Sequence, residues 1–245
     1  MKTTEMTTTR GKDQFYPTPP SIAEKMLAGL DMMYVRSVLE PSAGKGDLID
    51  AIGRKNLAMY QYDRAIEVDF CEIDPYLRQI CKYNFSAEKK AEILEEWRPL
   101  QQKSFSALTE SEKQKYRMLD NHLDLFRKTA VRCVHDDFLT FRTYKHYDLI
   151  LMNPPFAEGD LHLLRAIEMQ QRQGGSIVCL LNAETIRNPY TSTRAQLAAK
   201  LKELSADIQF VENAFSTDAE RRADVDVAII RIHILPLMKV TFGSA

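Results

Sequence analysis

Long apolar runs, a charge excess of one sign and paired cysteines are all missing from this chain of 245 residues. No apolar run reaches the roughly 18 residues that a membrane-spanning helix needs, so we expect no membrane association. The formal net charge is −1, so composition does not indicate the strongly basic surface of many nucleic-acid-binding proteins. The N-terminus lacks the apolar stretch of a signal peptide, and we expect a cytoplasmic location.

The four cysteines form no Cys-x-x-Cys pair, and the five histidines do not fall at metal-ligand spacings. We interpret the cysteines as reduced core residues and expect neither a disulfide framework nor a metal site. The chain is 44% hydrophobic and 27% charged, which is typical of a globular protein that buries a sizeable core.

Short apolar segments alternate with amphipathic segments along most of the chain. Strands are predicted at residues 35–40, 65–72, 131–135, 147–151, 176–181, 208–212 and 225–234. Helices are predicted at residues 21–30, 47–53, 74–84 and 192–204, the first with a capping box formed by Ser21 and Glu24. The alternation predicts an α/β fold with a mainly parallel seven-stranded sheet and helices on both faces.

Residues 85–130 interrupt this alternation and are rich in charge. Apolar side chains recur there at helical intervals: Ile93, Leu94, Trp97, Tyr116, Leu119, Leu123 and Phe126. Thr109 and Glu112 have the spacing of a capping box. We predict an inserted pair of helices within one domain of residues 15–245, preceded by a flexible tail at residues 1–14.

The first predicted strand ends in a loop that contains two glycines. Its residues are Glu40, Pro41, Ser42, Ala43, Gly44, Lys45 and Gly46. Open parallel sheets bind nucleotide-like ligands at such strand ends. A phosphate-binding loop would have Ser or Thr after the lysine, whereas Gly46 follows Lys45, and the carboxylate of Glu40 favours a cationic ligand group. The alternative is an ordinary tight turn.

The second predicted strand ends at Glu72, which Ile73, Asp74 and Pro75 follow. An acidic side chain at this position can accept hydrogen bonds from both hydroxyls of a ribose, and Glu72 is the candidate. Asp before Pro is a common helix start, so Asp74 is predicted to cap the next helix. The alternative is that both acids serve only as helix caps.

Asp137 and Phe138 come just after the third predicted strand. A carboxylate there can accept a hydrogen bond from an adenine amino group, and the neighbouring ring can pack on the adenine. The alternative is a solvated acidic turn.

The fourth predicted strand runs directly into Asn153, Pro154, Pro155 and Phe156. The two prolines stiffen the turn and remove two backbone donors. The acceptors that remain, the Asn153 side-chain oxygen and the Pro154 carbonyl, suit a planar amine with two N–H groups. Phe156 offers a face for stacking a planar base. The alternative is a proline-rich loop without chemistry.

Together these motifs resemble the N6-adenine DNA methyltransferases, a branch of the class I S-adenosylmethionine-dependent enzymes. The resemblance spans roughly residues 13–235, and its motif order is similar to that of the gamma subclass. It implies S-adenosylmethionine as cofactor. The residues that the resemblance implies for holding it are, in the glycine loop, Glu40, Pro41, Ser42, Ala43, Gly44 and Gly46, and, at the following strand ends, Glu72, Ile73, Asp137, Phe138 and Asn153. It also implies that Tyr16, Thr18 and Pro19 lie near the methionine moiety and that Asn153 to Phe156 form the catalytic motif.

The resemblance implies adenine N6 in DNA as acceptor, as in restriction-modification systems, with a flipped base that receives the methyl group directly. Adenine in RNA remains an alternative, because the motif contacts an amine and not a sugar. Protein glutamine is disfavoured by Phe156, where that family has Tyr. A catalytically silent subunit is the fourth alternative.

Relatives that act alone usually carry a target-recognition domain after the catalytic core, and we expect none here. Recognition of the substrate then depends on one of three alternatives: the insertion at residues 85–130, a partner protein, or the loop of residues 215–224 with Arg221 and Arg222.

Overall fold

The computed structural model describes residues 17–58, 65–215 and 225–236. Three sequence predictions, namely the tail at residues 1–14, the cofactor role of Tyr16 and the contacts of Arg221 and Arg222, lie outside the described residues.

A seven-stranded sheet forms the centre of the molecule, in the order β3-β2-β1-β4-β5-β7-β6. The strands are β1 (Ser37–Glu40), β2 (Ile66–Cys71), β3 (Thr129–His135), β4 (Leu149–Met152), β5 (Gly175–Asn182), β6 (Asp207–Val211) and β7 (Val227–Ile234). Neighbours from β3 to β5 pair in parallel, whereas β7 is antiparallel to both β5 and β6. The predicted α/β fold with a mainly parallel sheet is confirmed.

Helices cover both faces of this sheet. They are α1 (Pro20–Leu27), α2 (Asp47–Leu57), α3 (Pro75–Asn84), α4 (Ala87–Gln101), α5 (Glu110–Lys128), α6 (Gly159–Gln173), α7 (Ala183–Arg187) and α8 (Ser192–Glu203). One core cluster packs α1 and α2 against one face of the sheet. A second packs α6 and α8 against the other face. The helices α6 and α7 were absent from the sequence prediction.

The predicted capping box of Ser21 and Glu24 is wrong. Helix α1 begins one residue earlier, at Pro20, and Pro19 occupies the N-cap position without a side-chain cap. Proline suits the first helical position because its fixed φ is already helical and its missing N–H would have had no helical partner.

The predicted helical insertion is confirmed as the antiparallel pair α4 and α5. The Thr109–Glu112 capping box is present at the start of α5. A small core of Ile93, Leu119 and Leu123 joins the two helices. Helix α5 also packs against α2, so the insertion is an integral part of the domain.

Candidate active site at the carboxyl edge of the sheet

Four predicted motifs meet at one edge of the sheet. Glu40 ends β1, Glu72 directly follows β2, Asp137 comes two residues after β3, and Asn153 directly follows β4. These four strands are neighbours and parallel, so their carboxyl ends face the same way. The chain reverses its direction of growth between β1 and β4, the position at which open α/β sheets bind ligands.

Glu40 is a buried carboxylate, with an exposed fraction of 1%. Its Oε1 accepts a hydrogen bond from the Ser42 backbone N–H at 2.9 Å. Its Oε2 is buried and has no hydrogen-bond partner among the residues that the structure describes. Burial raises the pKa of Glu40 well above its ordinary value, against the bond from Ser42 and with the help of the nearby Glu72 charge. A positively charged hydrogen-bond donor would satisfy Oε2 and stabilise the ionised carboxylate.

Glu72 connects the ends of β1 and β2. Its Oε2 accepts from the Gly44 N–H at 2.7 Å, and its Oε1 accepts from the Asp74 N–H at 2.9 Å. Burial raises the pKa of Glu72, while these two backbone bonds act in the opposite direction. The carboxylate therefore shapes the loop at residues 41–46 and keeps further lone pairs for a ligand hydroxyl.

The glycines of this loop adopt backbone conformations that other residues rarely adopt. Gly44 has a φ of 55° and Gly46 a φ of 101°. A Cβ on Gly46 would lie 2.5 Å from Cε2 of Phe85, at the end of α3. Gly46 is thus required by the turn and by close packing against α3. Pro41 and Ala43 are buried in the same loop.

Asp74 caps α3, as predicted, and its side chain accepts from the N–H groups of Tyr76 and Leu77. Ile73 beside it has an exposed fraction of 65%, so an apolar surface is available next to Glu72.

Phe138 has little free surface, with an exposed fraction of 2%. Its ring packs 5.7 Å from the His162 ring within the second core. The neighbouring Asp137 accepts a hydrogen bond from the Leu139 N–H at 2.9 Å. A contact of Phe138 with a bound adenine remains a prediction, and the structure gives this ring a packing role.

Asn153 is joined to the N-terminal segment. Its Nδ2 donates to the Thr18 hydroxyl at 3.1 Å, across 135 positions of sequence. Thr18 is buried, with an exposed fraction of 8%. The oxygen of a planar amide lies opposite its nitrogen, so this bond directs Oδ1 of Asn153 away from Thr18.

Phe156 stands beside a second ring. Its centroid lies 6.1 Å from that of Phe215, edge to face at 69°. Pro154 is buried and Pro155 is half-buried, which holds the turn after β4 in place. Phe215 follows β6 and is fully buried in the first core cluster, against which Phe156 packs.

A groove of about 1120 Å³ lies next to these residues, between the first two helices and the insertion. It borders the site at Thr18 and Gly46, and α4 and α5 line its other side with Ile93 and Leu119. Glu40, Glu72 and Asn153 do not line it.

Two searches were confined to the described ranges of the chain. Within them, no group of three or more His, Cys, Asp or Glu residues is arranged to hold a metal ion. None of the helices there is long and apolar enough to cross a bilayer.

Solved methyltransferases share this architecture. The rRNA methyltransferase aviRa from Streptomyces viridochromogenes is 13% identical with a TM-score of 0.54, over 90% of this chain and 87% of that chain. A putative class I S-adenosylmethionine-dependent methyltransferase from Listeria monocytogenes is 13% identical with a TM-score of 0.52, over 90% of this chain and 61% of that chain. The fold is that of the class I methyltransferases. No family model and no curated protein matches the sequence.

Sequence reasoning missed Arg78 near this site. Its Nη1 donates to the Glu72 carbonyl oxygen at 2.6 Å and lies 4.0 Å from Oδ2 of Asp136. Arg78 thereby ties the end of β2 to the end of β3. The available signal was its position in the first turns of the helix that follows Glu72.

Proposed function

We propose that this chain is an S-adenosylmethionine-dependent methyltransferase that acts on the exocyclic N6 of adenine in DNA. The observation that carries the proposal is the buried Oε2 of Glu40, which has no hydrogen-bond partner in the described part of the chain and lies one strand away from Asn153. A buried carboxylate without a partner is unfavourable in an isolated protein. A cationic ligand would neutralise the Glu40 carboxylate, and an amine acceptor beside that ligand would bind to Asn153.

The residues present fit this cofactor. Glu40 and the buried Ser42 hydroxyl, for which the described ranges of the chain also provide no hydrogen-bond partner, suit its amino group. Glu72 suits the ribose hydroxyls, and the exposed Ile73 side chain offers an apolar surface to the adenine. The cofactor, when bound, supplies a methyl group on a positively charged sulfur.

The residues after β4 would prepare the acceptor. Oδ1 of Asn153 and the Pro154 carbonyl accept the two N–H groups of the amine, which draws the nitrogen lone pair out of conjugation with the ring. Thr18 fixes the Asn153 amide in the required orientation. The Phe156 ring stacks on the base, so catalysis is positioning plus electrostatics. As the bond from the amine nitrogen to the methyl carbon forms, the bond from that carbon to the positively charged sulfur would break and its electron pair would stay on the sulfur. The amine nitrogen would then release one N–H proton to solvent.

Adenine in RNA is the second candidate acceptor. The groups that receive the amine, Asn153 and Pro154, contact a base edge and carry no information about the sugar. A direct assay separates the two candidates.

The test is methyl transfer from isotope-labelled S-adenosylmethionine to unmethylated DNA, to total RNA and to protein extract, with mass spectrometry of the digested products. We expect labelled N6-methyladenine from DNA. Label that appears only in RNA would move the assignment to the second candidate. Label only in protein, or cofactor binding without transfer, would contradict the proposal.

Asn153→Ala serves as the internal control of this assay. The variant loses a transition-state acceptor, so we expect transfer to fall below detection while cofactor binding, measured by calorimetry, stays within about threefold of wild type. Near-normal turnover would remove Asn153 from the mechanism.

A further inference from the structure

The carboxyl edge of the sheet has two halves around Asn153. Glu40, Glu72 and Asp137 occupy the ends of β1, β2 and β3 on one side. A cofactor held by these residues fills that half. The acceptor must therefore approach Asn153 from the other half, over the carboxyl ends of β5 and β6 and the amino end of β7 between them.

The start of α8 lies on this acceptor half. β5 runs parallel to β4, and β7 is antiparallel to both β5 and β6, so β6 is parallel to β5. The connection from β5 to β6 therefore leaves from the carboxyl edge. That connection begins with α7 and residues 188–191, and α8 follows.

Tyr190 projects from this connection with an exposed fraction of 78%. The guanidinium carbon of Arg194 lies 4.9 Å from the centre of its ring. Among the described residues no carboxylate forms an ion pair with Arg194. A second arginine on the same half, Arg187, lies 4.9 Å from the Phe210 ring but is paired with Asp226 at 2.9 Å. Arg194 thus keeps its charge available, whereas Arg187 is neutralised.

An exposed aromatic ring with a neighbouring unpaired arginine is the combination that binds single polynucleotide strands. The ring stacks on a base of any sequence, and the cation contacts the backbone phosphate. A protein partner is less well matched, because the pair is surrounded by polar, exposed residues such as Asn188 and Ser192.

We propose that Tyr190 and Arg194 hold the polynucleotide strand that flanks the target base. Tyr190 stacks on a neighbouring base, and Arg194 binds a phosphate of the same strand. This inference rests on the proposed function, because it takes Asn153 as the point where the target base sits.

The test is the binding of fluorescein-labelled oligonucleotides, measured by anisotropy over a range of salt concentrations. Comparing the affinities for DNA and RNA oligonucleotides of the same sequence shows which of the two polynucleotides the protein prefers. We expect Tyr190→Ala to raise Kd at least about fivefold, the lower end of the cost of a lost base stack. Tyr190→Phe keeps the ring and should bind within about twofold of wild type.

Arg194→Gln tests the phosphate contact separately. We expect the slope of log Kd against log salt to become shallower by about 0.7 to 0.9, the value for one lost phosphate contact. Tyr190→Ala should leave this slope unchanged, since stacking releases no counterions.

Matched controls lie on the opposite side of the sheet from Tyr190, where the strands β4 and β6 begin. Tyr144 is fully exposed in the segment before β4, and Lys202 is an exposed cation in the last turn of α8. Tyr144→Ala and Lys202→Ala should bind like wild type. Thermal melts of all variants check that each is folded.

Two results overturn the inference. Folded Tyr190→Ala and Arg194→Gln proteins that bind and transfer methyl groups like the controls would show that the pair does not contact the strand. Unchanged salt slopes in Arg194→Gln would exclude the phosphate contact. These outcomes are separate from failure of the proposed function, in which wild-type protein transfers no methyl group to either polynucleotide.

Discussion

At the scale of single residues, Glu40 combines a proposed ligand-binding position with an unfavourable environment. Its carboxyl group is buried, one of its oxygens lacks a partner among the described residues, and its pKa is raised above the ordinary value of 4.5. The folded protein without ligand therefore retains the Glu40 proton at higher pH than the unfolded chain does. A cationic ligand favours the ionised form, so its binding releases this proton.

Glu40→Gln should expose this linkage. In wild type we expect the affinity for S-adenosylhomocysteine, measured by calorimetry, to increase as the pH rises above 4.5 through the raised pKa of Glu40. The variant should bind more weakly by about 1.5–3 kcal/mol and lose that pH dependence.

The stability of the folded protein depends on the ionisation of Glu40 in the opposite direction from the ligand affinity. Because the folded-state pKa is raised, ionisation of Glu40 opposes folding as the pH increases, and Glu40→Gln should melt no lower than wild type. Glu24→Gln, at an exposed position of α1, is the control. A Glu40→Gln variant with wild-type affinity and pH profile would remove Glu40 from the ligand site.

In the proposed function, Thr18 acts on the acceptor through its hydrogen bond with Asn153. Thr18→Val keeps the side-chain shape and removes the hydroxyl, whereas Thr18→Ser keeps the hydroxyl. We expect Thr18→Val to reduce kcat about two- to tenfold, the range of a lost neutral hydrogen bond, with little change in KM for the cofactor. Thr18→Ser should restore kcat. Equal effects of both substitutions would indicate a packing role instead.

The sequence could place Glu40, Glu72, Asp137 and Asn153 because each follows an apolar strand, and parallel strands bring their ends together. It could not reveal the contact of Thr18 with Asn153. That contact joins residues 135 positions apart, and nothing local in either segment specifies it.

At the scale of helices and strands, Gly53 lies at a helix boundary that the sequence prediction placed too early. The helix after the glycine loop was predicted to span residues 47–53. Instead α2 continues to Leu57. A Cβ on Gly53 would lie 2.1 Å from Cδ1 of Leu125 on α5. The glycine is kept for close packing of two helices, which only the tertiary structure reveals.

Gly53→Val should therefore destabilise the protein. We expect overpacking against Leu125 to lower the free energy of unfolding by about 1–3 kcal/mol, measured by urea denaturation. In a double-mutant cycle, Leu125→Ala creates room for the new side chain, so the double variant should lose less than the sum of the single losses. Strict additivity would show that the two positions do not share this contact.

Helix α6 was missed although its pattern was present. Leu163, Ala166 and Ile167 are buried at helical spacing. The same helix also buries the polar side chains of His162 and Gln170, which interrupt the apolar pattern in the sequence. By contrast, Thr109 and Glu112 gave a local signal that was sufficient, and their capping box is present.

At the scale of the whole molecule, the two halves of the carboxyl edge should respond separately to mutation. Glu72→Ala should weaken cofactor binding by about 1.5–3 kcal/mol, because it removes a charged hydrogen-bond acceptor, and leave oligonucleotide affinity nearly unchanged. Phe156→Ala should do the reverse. Calorimetry with S-adenosylhomocysteine and anisotropy with oligonucleotides measure the two affinities. Parallel losses of both affinities in either variant would contradict this division.

The position of β7 also has a consequence for synthesis on the ribosome. β7 lies between β5 and β6, although it follows both in the chain. The strands β3, β2, β1 and β4 can pair as soon as they emerge, but one edge of β5 and both edges of β6 stay unpaired until residues 227–234 leave the ribosome. An unpaired apolar edge attracts other strands. We therefore expect the nascent chain to be most prone to aggregate late in translation, when β1 to β4 are already paired.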